Sequence, residues 1–500
     1  MMKTPGEEGK EDTAVLNDGD HDLRHVESHT VGTTMEAPAD VFNSEQGDVD
    51  FRGVSWPAAA ILIAKFQIGL GTLSIPHTFH VLGFVPGILC FLIIAAVSTV
   101  AGYVCGNARR YYPHLHSIGD AAALLFGPGA REFVGGVYYI YLAMTAGAGM
   151  LTTSVALNAL SDHGACTTVF VVVSSAVAFV IGTGFRSLER VAWLSWVGVA
   201  GIVIAIWVTT IACLAQDRPA AAPPGPVDLD IRILPHSTFA QAMAAISNQL
   251  FAVGASGTFF SVAAEMRHPD KFTRALLVGQ SFMVLTCIAI GSIVYGKIGQ
   301  YLASPALGSA GPLIKKISYG IALPGLVMTA VLYSHIAAKY WFVRILRGTR
   351  HLQSSTIKHW TIWVGSMAVT VIFGFIVVGV VPFFSDFLSL VGALVNPIFT
   401  NVLPGFMIMF YIARRPAEAR DGVPLRPVSE QYANEQHWLI DAFKAYQKGW
   451  KNAMALALAC FLILSGAFII VGGTYGSVLS IQQSYHNGDV RGVFSCGDNS

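Results

Sequence analysis

The sequence predicts an all-α polytopic membrane protein of eleven transmembrane helices, with helices 1 and 6 discontinuous. Three observations lead there. Over 500 residues the chain is 53% hydrophobic and 12% charged, with a mean hydropathy of +0.56, too apolar for a soluble protein. Its apolar runs repeat at lengths that cross a bilayer, since about 20 residues at roughly 1.5 Å rise span a core of about 30 Å. Two of these runs are poor helices at their centres. Between Pro57 and Phe79 stand Gly69, Gly71, Thr72, Ser74 and Pro76; between Phe239 and Ala264, Gly254 and Gly257 bracket Ser256 after the polar pair Asn248 and Gln249. Each such residue weakens helical continuity where a lipid-facing helix is most regular.

Taken in order, residues 1–52 form an acidic tail, whose first 50 residues hold 13 Asp and Glu against Lys3, Lys10 and Arg24. Such a segment buries too little apolar surface to offset its ordering entropy and is expected to be disordered. It lacks the basic start and apolar core of a signal peptide, so the first span itself directs insertion. The transmembrane domain covers 53–476. After Pro57 to Phe79 its spans are Leu82 to Asn107, Phe133 to Leu160, Thr168 to Phe185, Val191 to Ala215, Phe239 to Ala264, Ala275 to Gly296, Leu313 to Leu346, Trp360 to Val381, Phe387 to Ala413 and Ala453 to Gly476. Lys and Arg beside the spans set the orientation. With the N-terminus inside, inner segments hold 24 of them and outer segments six, Lys65 lying within the membrane. The N-terminus is therefore expected in the cytoplasm and, after an odd number of spans, the tail 477–500 outside.

Two connections differ in kind. Asp217 to Pro235, with its run RPAAAPPGP, reads as a stiff outer connector. In the inner loop 414–450, Trp438, Leu439, Phe443, Tyr446 and Trp450 recur at helical spacing on one face, which fits either an interfacial helix or one packed on the bundle. Five of the seven cysteines, Cys90, Cys105, Cys213, Cys287 and Cys460, fall in apolar runs as small hydrophobes. Cys166 and Cys496 fall in outer polar segments, and the sequence leaves open whether they are bridged.

A helix broken at membrane depth leaves N–H and C=O groups that hydrocarbon cannot satisfy, so the break must face protein or a water-filled cavity. The half-helix starting near Thr72 offers its positive dipole end to an anionic group, and the carbonyls freed before it suit an ammonium or a cation. A free amino acid carries both groups. Breaks at corresponding positions of two halves, spans one to five and six to ten, point to a transporter site; a packing kink is the plainer alternative.

The residues around these breaks resemble the amino acid/auxin permease family. The likeness lies in IGLGTLSIP (Ile68 to Pro76) and its continuation FHVLGFVPG, in EMRHP (Glu265 to Pro269) and in YSHIAAKYWFVRILRG (Tyr333 to Gly348). It runs from about Gly53 to the C-terminus and is nearest to the fungal neutral amino-acid permeases. The resemblance implies a 5+5 inverted repeat like that of the leucine transporter, proton coupling and alternating access.

It also implies where the substrate lies. The N–H groups of Gly71, Thr72 and Leu73, just past Gly69, are the candidates for the carboxylate. Carbonyls near Phe66, Gln67 and Phe251, with the Ser256 hydroxyl beside Gly254, are the candidates for the amino group. No Asp or Glu stands at mid-membrane, and no Arg either, so the substrate is expected to be neutral. Its side chain is expected against Phe66 and Phe251 with Ala146 and Gly147; Phe259 and Phe260 read better as packing. Lys65 is the sharpest residue, because an intramembrane lysine needs a partner or a cavity. By resemblance to sodium-coupled members of the fold, its ammonium stands where a sodium ion would otherwise sit, with Ser334 or His335 opposite. Desolvation makes a lysine readier to give up its proton, hence its candidacy as the titrating or ion-mimicking group; snorkelling to the inner surface is the alternative. Glu265 reads as a gate or ion pair at the inner face, and His335 as a titrating or interhelical histidine.

The expected function is secondary transport of neutral amino acids by proton symport, with the amino acid, the proton and the bilayer as partners. A receptor of the same fold that signals with little flux is the alternative. The spans show no paired carboxylates and the chain no HExxH, GxSxG or GxxxxGK[ST], so an enzyme is not expected, nor a metal, cofactor or nucleic acid. The plasma membrane is expected, with the vacuolar membrane as runner-up. Oligomeric state is not legible.

Overall fold

A computed structural model describes residues 53–112, 115, 117–185, 188–234, 237–352, 354–381, 384–413, 438–486, 494 and 496–497. The acidic tail, residues 1–52, lies outside them. The architecture is α-helical. The first predicted span is a pair, α1 (Trp56–Gln67) and α2 (Leu70–Leu82), bent by 47°. It is followed by α3 (Phe84–Tyr111), a short α4 (Ile118–Phe126), α5 (Pro128–Ser161), α6 (Thr167–Gly184) and α7 (Leu188–Ala215). The second half opens on another pair, α8 (Phe239–Val253) and α9 (Ser256–Glu265), then α10 (Phe272–Ile298), α11 (Pro312–Leu346), α12 (Ile357–Val380) and α13 (Phe384–Leu394). A π-helical turn, Ile398–Val402, joins α13 to α14 (Leu403–Ala413); α15 (Trp438–Lys444) and α16 (Trp450–His486) complete the fold.

Among the described residues, nine helices are long and apolar enough to cross a membrane, and the bent pair α1–α2 makes a tenth. The remaining predicted span, the sixth, is the pair α8–α9. Its halves are 15 and 10 residues long, and buried Ser247, Asn248, Gln249, Ser256 and Thr258 dilute its apolar character. Such a segment is stable at membrane depth because neighbouring helices, not lipid, surround it.

The two halves repeat each other in their packing. α1 and α2 lie against α10, as α8 and α9 lie against α3; α1 meets α7 as α8 meets α13; α5 meets α6 and α12 as α11 meets α12 and α6; and α2 touches α8 as α9 touches α1. Five crossings per half start the two halves from opposite faces, so the repeat is inverted. α5 and α11 pack on each other across the pseudo-twofold axis.

Sequence pattern explains the local starts and stops. Ser55 caps α1 ahead of Pro57, and Thr238 with Gln241 forms a capping box on α8. Ser117 and Asp120 do the same for α4. That helix was not anticipated, because its nine residues are too few for a periodic signal. α16 continues to His486, ten residues past the predicted end. The Pro/Ala connector 216–234 is irregular and lies over the ends of α3 and α10, Phe84 donating to the Arg232 carbonyl and Arg232 N–H to the Tyr295 hydroxyl.

Two open questions are answered. Cys166 and Cys496 form a disulfide, and the C-terminal residues dock beside it, Thr167 donating to the Gly497 carbonyl and Phe494 N–H to the Gly379 carbonyl. The aromatic residues of the loop before α16 do not share one face. Trp438 is buried, donating to the Leu125 carbonyl, whereas Phe443, Tyr446 and Trp450 are exposed, because α15 ends at Lys444 and Gly449, at φ +134°, redirects the chain.

Candidate functional site

Both predicted interruptions are present. In the first, Ile68 is extended and Gly69 has φ +148°, a conformation that a side chain would strain. In the second, Gly254 and Ala255 leave the helix. The breaks are held together at a second glycine. A Cβ on Gly71 would fall 2.3 Å from the Ala252 Cα, so α2 and α8 touch backbone to backbone there.

Side chains from the surrounding helices satisfy several of the freed carbonyls. Tyr333 on α11 donates to the Phe66 carbonyl at 2.7 Å, Tyr141 on α5 to Gly254 at 3.1 Å, Ser98 on α3 to Val253 and Asn396, after α13, to Leu250 at 3.0 Å. Lys65 is fully buried. Its ammonium donates to the Gly325 carbonyl at 2.9 Å and the Thr329 hydroxyl at 2.5 Å, both on α11. Gly198 of α7 stands beside that space, where an added Cβ would meet the Lys65 side chain at 3.6 Å. A lysine here is held by oxygen dipoles without a carboxylate, and it does not snorkel to the surface.

A small cavity lies at the first break, lined by Lys65, Phe66, Gln67, Ile68, Leu70 and Gly71 together with Thr145, Phe251, Thr329 and Tyr333. Its volume is about 10 Å³, room for about one water. An amino acid fits only after the interrupted spans and α5 or α11 move apart. A larger cavity of about 320 Å³ opens at the end of the bundle where α9 and α11 finish, its lining including Tyr138, Ser261, Glu265 and Lys339. Between the two stands an aromatic layer in which Tyr138 packs on Tyr141 and Phe399, and Tyr333 packs edge-on to Phe66.

The structure gathers some predicted residues and separates others. Phe66, Gln67, Gly71 and Phe251 line the small cavity with Lys65, and Gly69 forms the break. Thr72 and Leu73 do not line it. The Thr72 hydroxyl is 3.4 Å from Cys287 on α10, and the α2 residues that line the cavity are Leu70 and Gly71. Ser256 donates to the Phe399 carbonyl and lies 3.2 Å from Thr400; a Cβ on Gly254 would meet the Asn396 amide at 1.9 Å. Both residues build the second break and stand outside the cavity. Ser334 and His335 are not opposite Lys65. Gly325 and Thr329 lie more than a turn earlier on α11, and His335 packs edge-on to Trp363 of α12 at 5.1 Å. Ala146 and Gly147 are also turned away, Gly147 packing on Gly374, and their neighbour Thr145 takes the cavity position. Glu265 forms a buried ion pair with Lys339 at 2.7 Å. Phe259 and Phe260 are buried packing residues.

Sequence reasoning missed Thr329, Tyr333, Tyr141 and Asn396. Polar side chains inside otherwise apolar spans were their only signal.

Two interrupted helices facing each other across an inverted repeat, with a buried cation at one break, define a membrane transporter. A family model described as "Transmembrane amino acid transporter protein" matches residues 52–424, and the chain belongs to that family. A "Transmembrane transporter" of Gibberella moniliformis is 32% identical over 463 residues, covering 92% of this chain and 91% of that one. The "N amino acid transport system protein" of Neurospora crassa is 25% identical over 455 residues, 91% and 90% of the two chains. Among solved structures, MhsT in complex with L-phenylalanine matches with a TM-score of 0.47 and 13% identity, over 85% of this chain and all of that one.

Proposed function

We propose that this amino acid transporter is a secondary active carrier of neutral aliphatic and aromatic amino acids, driven by proton symport through alternating access. The observation that carries the reading is Lys65: among the described residues, the one charged side chain lining the cavity at the break, already engaged by Gly325 and Thr329. In our reading the substrate carboxylate meets the N–H groups of Leu70 and Gly71, and the amino group meets carbonyls near Phe66 and Phe251. The side chain points toward Phe251 and Thr145. Lys65 carries the coupling proton, its ammonium holding the α1 break against α11. A cationic or anionic substrate would find no opposite partner free in this lining, which favours neutral ones. The name of the Neurospora relative, N amino acid transport system protein, agrees with amino acids as substrates. Glu265 with Lys339 forms the inner gate. The protein acts in the plasma membrane with its N-terminus in the cytoplasm.

The test is uptake of labelled phenylalanine and leucine into proteoliposomes, with a pH gradient imposed or absent and sodium varied at fixed pH. The reading expects accumulation that follows the pH gradient, ignores sodium, and is competed by neutral but not by charged amino acids. Substrate binding without gradient-driven accumulation would instead favour a receptor.

A further inference from the structure

We infer that the groove between α3, α4, α14 and α16 is a binding site for an anionic phospholipid. It holds about 400 Å³, with walls that include Val104, Leu124, Met407 and Ile408 and a rim that includes Tyr411, Lys451 and Asn452. The walls are largely apolar and admit an acyl chain; the rim offers the Lys451 ammonium and the Asn452 amide, donors that a phosphate takes. Lys451 and Asn452 stand in the first turn of α16, the positive end of the helix dipole, which adds to the attraction for an anion.

The neighbouring segment places this rim at the depth of lipid headgroups. Trp438 pins α15 to α4 through the Leu125 carbonyl, while Ile440, Phe443, Tyr446 and Trp450 stay 51–69% exposed. Lys444 and Lys448 stand on the same stretch. Exposed aromatic residues interleaved with lysines are the composition of a membrane–water interface. The Lys/Arg distribution assigns this end of the bundle to the cytoplasm, the leaflet that carries anionic lipid. A basic, part-apolar pocket between transmembrane helices on that side suits a phosphatidylserine-like headgroup better than a zwitterionic one. The site is remote from the α1 break and does not depend on which solute is carried.

The full-length protein in detergent, titrated with dioleoylphosphatidylserine or dioleoylphosphatidylcholine and read by native mass spectrometry, tests this. Phosphatidylserine is expected to be retained about fivefold more tightly, the increment of one lysine at a lipid headgroup. Lys451→Ala brings the two lipids to parity. Ala455→Trp, which fills the groove, lowers retention of both, and Lys358→Ala, at the start of α12, leaves the preference intact. Equal retention by the wild-type protein overturns the proposal, as does a preference that survives Lys451→Ala and Ala455→Trp. Loss of the preference in Lys358→Ala, or preferential retention of ergosterol, overturns it equally.

Discussion

Replacing Gly71 by alanine tests whether the two interrupted spans must touch. The added Cβ would sit 2.3 Å from the Ala252 Cα and 2.6 Å from its Cβ, whereas unbonded carbons rest at about 3.5–4.0 Å. The obstacle is backbone, so no rotamer change relieves it, and α2 and α8 must part by more than about 1 Å. Overpacking of that kind costs about 1–3 kcal/mol, offset in part by the roughly 1 kcal/mol that alanine gains over glycine in a helix. Net stability therefore falls by about 0–2 kcal/mol, and the cavity that Gly71 and Phe251 share is displaced. A misplacement of about 1 Å at a reacting site lowers rates by as much as about 100-fold, and a substrate held by both broken helices is similarly sensitive. We expect initial uptake in proteoliposomes, normalised to reconstituted protein, to fall about 10- to 100-fold. Gly136→Ala on α5, where a Cβ meets nothing within 4 Å, should transport as the wild type does. Wild-type uptake by Gly71→Ala would refute the contact between the breaks.

Three further outcomes follow from the same geometry. Thr329→Val removes one of the two acceptors of the Lys65 ammonium; a hydrogen bond to a charged group is worth about 1.5–3 kcal/mol, so pH-driven uptake should fall at least tenfold, with Thr329→Ser restoring most of it. Glu265→Gln takes the carboxylate from Lys339; if this pair closes the inner face, a cysteine placed at Thr145, buried on the small cavity at the break, should react faster with a maleimide applied from the cytoplasmic side, and unchanged reactivity would remove the gate. The disulfide gives a test of orientation: an impermeant maleimide added to intact cells should label Cys166 and Cys496 only after reduction, and labelling confined to the interior would reverse the assigned topology.

The fold was largely legible because membrane helices must satisfy their own backbone, so composition and length alone mark them. The breaks at Gly69 and Gly254 were legible for the same reason, since glycine at membrane depth is either a contact or an interruption. Which side chains meet at the breaks was not. Lys65 was singled out by its charge, but its partners were placed a turn or more too far along α11, at Ser334 and His335, because residue types do not fix the rotation of one helix against another. Thr329 and Tyr333 face the α1 break, whereas His335, only six residues beyond Thr329, faces Trp363. α4 escaped notice because one capping box without a long apolar stripe is a weak signal.

The most direct measurement compares Lys65→Met with the wild-type protein in two assays on the same proteoliposomes: counterflow of labelled phenylalanine at equal pH, and accumulation under an imposed pH gradient without sodium. The account predicts that counterflow persists while gradient-driven accumulation falls to the level of simple equilibration. Undiminished accumulation by Lys65→Met would mean that the proton travels elsewhere, and the coupling assigned to the first break would be wrong.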